Sequence, residues 1–223
     1  MMVGGPRTEQ EKISDVTALS IEFTKSGVRR VRLSGTLLCM PAARAIHNLA
    51  LVGFMGCGKS TVGRQVATDL GFQFVDTDTL IEERAGIPIP EIFETEGEAA
   101  FRRLECEVLA ELAGRQELVI ATGGGAIVNP DNLASLKSHA LVVCLWANAE
   151  AIHERTRHQT HRPLLQTEDP LGTIQRMLEE RAPVYKQADV MVNTELRPQR
   201  EVVAQVRHQF DESKGGGTAS SAS

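Results

Sequence analysis

The sequence is poor in features that would place it in several large classes. Its four cysteines, Cys39, Cys57, Cys106 and Cys144, include no C-x-x-C pair. Each lies in an apolar or glycine-rich setting, which argues against a metal knuckle or a disulfide framework and for a reduced, cytoplasmic protein. No apolar run is long enough to span a bilayer, so no membrane partner is expected. Positive charge is not in excess: the formal net charge is -5 and the pI near 5.7. A broad basic surface for nucleic acid is thereby excluded, and any anion site must be local. There is no internal repeat.

What is present is organised around Gly53 to Thr61, GFMGCGKST, directly behind the apolar run Leu49, Ala50, Leu51, Val52. This is G-x-x-x-x-G-K-[ST], the phosphate-binding loop, in its strand-to-helix setting. Gly53, Gly56 and Gly58 allow a tight turn, with Cys57 between the last two. Its backbone N–H groups, with the helix opened by Lys59, Ser60 and Thr61, favour phosphate oxygens. A nucleoside triphosphate is the expected guest; what receives the phosphate is not specified by the loop.

From His47 onward strand and helix patterns alternate. Strands are expected at 47–52, 72–76, 117–122, 140–145 and 189–193. Helices are expected at 59–70, within 79–113, near 130–137, at 148–155, at 170–186 and at 198–210. Such alternation predicts an α/β fold with a parallel sheet covered by helices and ligands at the carboxyl ends of the strands. The length suits one compact domain over about residues 47–212. Residues 1–46 read as an appendage, with a small hairpin around Thr24 to Gly27, and Met40 is an alternative start. Residues 213–223, rich in glycine and serine, read as a disordered tail.

Several residues are candidates for chemistry. Asp76 and Asp78 of VDTD end the second strand and can hold a hydrated cation, accept a hydroxyl proton, or cap a helix; both face one side if the chain is still extended there. Gly123, Gly124 and Gly125 follow the third strand, where a ligand can approach the backbone. No carboxylate stands at that strand end, so metal binding falls to Asp76 and Ser60. Phe101, Leu104, Val108 and Leu112 form one helical stripe, leaving Arg102 and Glu105 off it and one turn apart; Glu105 can orient Arg102, or the two form a surface ion pair. The polar, basic stretch 155–165 reads as a lid carrying arginines, or as a solvated loop.

Taken together, GFMGCGKST, VDTD, Ile92-Phe93, Gly97-Glu98 leading into FRRLE, the triple glycine, RPLL and RAPVY resemble the shikimate kinases over about residues 47–210. The resemblance implies a P-loop, nucleoside-monophosphate-kinase-like three-layer fold whose five-stranded sheet has the order 2-3-1-4-5, with a lid at about 155–166. It implies transfer of a phosphoryl group from ATP, with Mg2+, to the 3-hydroxyl of shikimate in aromatic amino acid biosynthesis, by a monomer. By the same resemblance Lys59 contacts the transferred phosphate, Ser60 and Asp76 serve the metal, and Asp78 is the base. Arg102, Arg181 and Gly123 to Gly125 bind shikimate, Arg162 closes over the phosphates, and Arg155 lies against adenine. A gluconate kinase, or a nonenzymatic binding module on the same fold, are the competing readings.

Overall fold

The computed structural model describes residues 20–23, 29–33, 36–39, 44–157 and 167–215. The chain divides into two units, Met1–Arg44 and Ala45–Ser223. In the first, β1 (Ser20–Phe23), β2 (Arg29–Leu33) and β3 (Thr36–Cys39) form an antiparallel meander, with Ile21 opposite Val31 and Val31 opposite Leu38. The hairpin read from the sequence is therefore extended by a third strand.

The second unit opens with β4 (Asn48–Val52), whose five residues are all buried. A strand without an exposed face needs cover on both sides, as in a parallel sheet sandwiched by helices. β5 (Gln73–Asp76), β6 (Leu118–Ala121), β7 (Ala140–Trp146) and β8 (Val190–Asn193) complete a parallel sheet in the order β5-β6-β4-β7-β8. Counted within the unit this is 2-3-1-4-5, the expected order. The central strands are the most apolar: β6 reads LVIA, and in β7 only Trp146 is not fully buried.

The crossovers are α1 (Lys59–Leu70), α2 (Thr77–Ala85), α3 (Ile89–Thr95), α4 (Gly97–Leu112), α5 (Pro130–His139), α6 (Ala149–Thr156) and α7 (Pro170–Tyr185); α8 (Gln199–Gly215) closes the chain. The helical stretch expected between Thr79 and Ala113 is three helices, because Gly86 (φ 72°) takes a left-handed turn that ends α2 and Gly97 (φ 81°), also left-handed, breaks the helical path where α4 begins directly after α3. α8 runs to Gly215, three residues into the segment expected as a tail; residues 216–223 lie outside the described residues. Likewise Arg155 and Thr156, expected to begin the lid, belong to α6, and 158–166 lie outside the described residues. Among the described residues no helix is long and apolar enough to cross a membrane.

Two packing details fix the carboxyl edge of the sheet. α1 lies so close to β5 that a Cβ on Gly63 would stand 2.7 Å from the Phe74 ring. The first residue after β4, Gly53 (φ 127°), passes so near β7 that a Cβ would stand 2.2 Å from the Leu145 carbonyl oxygen. The start of the phosphate loop is thus pressed against the neighbouring strand, at a backbone angle that L side chains rarely adopt.

Candidate active site

Four of the helices begin under a side-chain cap. Asp76 accepts the Asp78 N–H, Asn129 the Asp131 N–H, Asn148 the Ala151 N–H, and Asp169 the Gly172 N–H. α1 is different: Gly58 (φ 91°) precedes it, no side chain caps it, and its first turn holds no acidic residue. The opening amides of α1, together with its dipole, therefore face the loop Gly53 to Gly58 and are suited to an anion. Lys59 Nζ donates to the carbonyl oxygens of Gly53 (2.9 Å) and Phe54 (3.0 Å), which holds the cation across the loop. Cys57 is 1% exposed and burial pushes its thiol up, so it is an inert filler; its N–H turns inward to Phe54 O at 3.4 Å. Thr61, third in α1, is exposed.

Asp76 and Asp78 do not share an extended strand, because α2 starts at Thr77. Asp76 sits at the cap position: one oxygen takes the Asp78 N–H (3.2 Å) and the other the Ser60 hydroxyl (2.8 Å). Capping and the link to the phosphate loop are thus combined in one carboxylate. Asp78, in the first turn of α2, is aimed instead at the turn after β6, where a Cβ on Gly123 would stand 2.7 Å from its Oδ1. The helical turn brings it there although the extended geometry expected for it is absent.

The Gly123 to Gly125 turn is the meeting point. Gly123 N–H donates to the hydroxyl of Thr77 (3.2 Å), a fully buried residue that the sequence reading passed over. Gly124 O accepts from Arg181 Nη1 (3.2 Å) and from the Tyr185 hydroxyl (2.7 Å). A Cβ on Gly125 would stand 3.2 Å from Arg102 Nη1. Arg102 and Arg181, 79 residues apart by subtraction of their numbers, therefore reach adjacent peptides of one turn.

Glu105 corrects the sequence reading. It is 1% exposed, on the buried side of α4 with Phe101, Val108 and Leu112, and not off the apolar stripe. Its Oε2 accepts from Arg102 Nη1 at 3.0 Å, while Oε1 is buried without a hydrogen-bond partner among the described residues. Desolvation raises its pKa, opposed by the Arg102 hydrogen bond and reinforced by Asp78. A carboxylate sunk beneath an arginine that is itself 36% exposed in its side chain is not a surface ion pair. Glu98 holds the outer side of the same guanidinium, at 3.1 and 3.3 Å. Arg102 thus faces the glycine turn from a fixed fork.

Arg155, exposed on α6, bridges two segments. It donates to Thr194 O (2.6 Å) and Thr194 Oγ1 (3.0 Å), and more weakly to Gly56 O (3.4 Å), tying the residues after β8 to the phosphate loop. Two residues on, Leu196 is fully exposed with φ 50°. Arg162 lies outside the described residues. Ser60 and Asp76 pair a hydroxyl with a carboxylate beside the phosphate loop, an all-oxygen donor set that fits Mg2+, which keeps most of its waters and takes few protein ligands.

A family model described as shikimate kinase matches residues 55–211. A shikimate kinase of Nitrobacter winogradskyi is 52% identical over 151 residues, 68% of this chain and 71% of that protein. The solved structure of a shikimate kinase from Acinetobacter baumannii, in complex with shikimate, is 41% identical with a TM-score of 0.72, covering 78% of this chain and 97% of that one. A gluconokinase structure from Sinorhizobium meliloti, at 20% identity and a TM-score of 0.54, shares the fold alone.

Proposed function

This chain belongs to the shikimate kinase family, and from that premise we propose how its own residues perform ATP-dependent phosphorylation of shikimate, giving shikimate 3-phosphate and ADP. The observation that carries the reading is the convergence of a phosphate loop, an aspartate and two arginines on one glycine turn. Phosphate chemistry and anion recognition are thereby set side by side at the carboxyl edge of the sheet.

ATP lies with its phosphates in the loop Gly53 to Ser60, against the uncapped amides of α1. Lys59 leaves the carbonyls that hold it and follows the charge that develops on the transferring group. Arg162, from outside the described residues, adds a second cation to the phosphates, and Arg155 borders the adenine. When bound, Mg2+ neutralises phosphate charge, with Ser60 and Asp76 as its protein contacts, directly or through water.

Shikimate is a carboxylate bearing ring hydroxyls. Arg102 and Arg181 grip the carboxylate, since a guanidinium fork presents two parallel N–H donors to a planar anion. The ring then lies along Gly123 to Gly125, where absent side chains admit it. Thr77 already occupies the Gly123 N–H, so Gly124 and Gly125 supply the amides that meet the substrate. Asp78, against Gly123, holds the 3-hydroxyl and accepts its proton as the oxygen attacks the terminal phosphorus of ATP; the O–P bond to ADP breaks on the opposite side.

The deciding assay is ADP release with shikimate, quinate, gluconate and AMP offered in parallel. Turnover confined to shikimate supports the reading. Turnover of gluconate or AMP without shikimate refutes it.

A further inference from the structure

We propose that Tyr185 is a positioning residue for the acceptor site: its hydroxyl fixes the Gly124 carbonyl and, through it, the glycine turn and the head of Arg181. The inference rests on the reading of that turn as the seat of shikimate.

Tyr185 is the only tyrosine in the chain and is fully buried. Its hydroxyl donates to Gly124 O at 2.7 Å, and that oxygen also accepts from Arg181 Nη1 at 3.2 Å. Arg181 and Tyr185 are four residues apart on α7, so one face of one helix delivers both donors. A carbonyl oxygen offers two lone pairs, and here they are divided between the two side chains. Behind the same peptide lies the phosphate loop: a Cβ on Gly124 would stand 3.3 Å from Met55 N and 3.6 Å from Gly53 O. The Arg181 guanidinium also lies 5.4 Å from the centroid of the Phe54 ring, within the phosphate loop. Arg181 is thus braced by an aromatic face and a carbonyl, and Tyr185 sets that carbonyl.

Space-filling alone would be met by phenylalanine, which has the same ring and no polar atom to bury. The hydroxyl adds a directional bond to the one carbonyl that also holds a substrate-facing cation. Burial pushes the phenol up to about 12, with Arg181 opposing, so the hydroxyl remains a donor across the neutral range. Without it, Arg181 is the one partner of Gly124 O left among the described residues and is drawn toward that oxygen, away from a carboxylate ligand.

The test is Tyr185→Phe in the full chain, assayed by ADP release. The shikimate KM should rise about five- to tenfold, as expected for one lost neutral hydrogen bond, with the ATP KM changed less than about twofold. In an Arg181→Lys background the same change should add less than about twofold, because the two act through one carbonyl. Phe210→Leu, a buried change at a site remote from the turn, should lower the melting temperature and leave both KM values alone. An unchanged shikimate KM, an equal rise for both substrates, or full additivity with Arg181→Lys overturns the proposal. Because Tyr185 is the sole tyrosine, 3-fluorotyrosine incorporation gives a single 19F signal without any substitution. It should shift on adding shikimate, and no longer do so in Arg181→Lys; a signal indifferent to shikimate in the active protein overturns the proposal too. If the unaltered chain does not turn over shikimate at all, the reading of the site fails first and the inference with it.

Discussion

Asp76 divides its two oxygens between capping α2 and receiving the Ser60 hydroxyl, which leaves Asp78 as the carboxylate directed at the glycine turn. The two residues should therefore respond differently to substitution. Asp78→Asn removes the proton acceptor while preserving size, and should depress kcat by about 100-fold or more with ATP affinity retained. A large loss of ATP binding, measured by titration calorimetry, would assign it a structural part instead. Lys59→Ala should remove nearly all turnover with little change in circular dichroism, because its charge is needed most in the transition state; unchanged kcat would contradict the phosphate-loop assignment. Arg102 is gripped by Glu105 from below and Glu98 from outside, so its fork is already oriented for a carboxylate. Arg102→Lys keeps the charge and loses the fork. It should raise the shikimate KM by a loss of about 1.5–3 kcal/mol, as for a hydrogen bond to a charged group, and leave the ATP KM nearly unchanged. Equal discrimination between shikimate and its neutral carboxamide in both proteins would exclude a carboxylate contact.

At the scale of elements, the opposite end of the sheet is held by side chains. Asn48 at the start of β4 donates to Arg115 O (2.7 Å), accepts the Leu118 N–H (2.9 Å), and meets His139 Nδ1 (2.9 Å) at the end of α5. One buried amide thus joins the starts of β4 and β6 to α5. Desolvation lowers the pKa of His139, and His47 adds to the effect. Its folded pKa lies below the ordinary 6.5, so neutral His139 contributes stability that is present above that value. The contribution is lost as pH falls from 6.5 through the folded pKa, since the unfolded chain takes up the proton first. Urea midpoints from pH 8 to 5 should fall on the acid side, and His139→Asn should flatten that limb; parallel curves would show that other groups govern it. None of this was legible beforehand, because Asn48 and His139 are 91 positions apart and look ordinary alone. The helix α1, by contrast, was readable to the residue, since the glycine loop behind an apolar strand specifies its start and Gly71, in a left-handed cap, its end. Local signals also marked every strand of the five-stranded sheet. They failed at Glu105, Thr77 and Tyr185, whose roles depend on which distant backbone atom each side chain meets once the helices dock. A polar residue on an apolar helical face is the signal that could have found Glu105.

For the molecule as a whole, the question is how much of the chain the chemistry needs. Every group placed in the site lies between Gly53 and Tyr185, within the unit Ala45–Ser223, and the family model begins at residue 55. The Acinetobacter baumannii shikimate kinase is covered over 97% of its length by 78% of this chain. A protein of that family can thus form its fold and bind shikimate without a counterpart to roughly a fifth of the present sequence. The β4 to β8 sheet supports this, since β4, its centre, is flanked by β6 and β7, and its pairing makes no use of the β1 to β3 meander. A chain starting at Met40 should therefore keep kcat and both KM values within about twofold of the full chain, and melt within a few degrees of it, the scale of changes that touch no packed or catalytic feature of a domain. Steady-state ADP release and a thermal melt on the two proteins decide the matter. Intact kinetics with a much lower melting temperature would make the amino-terminal unit a stabiliser, whereas lost turnover in a folded protein would give it a part in the reaction that none of the residues assigned here accounts for.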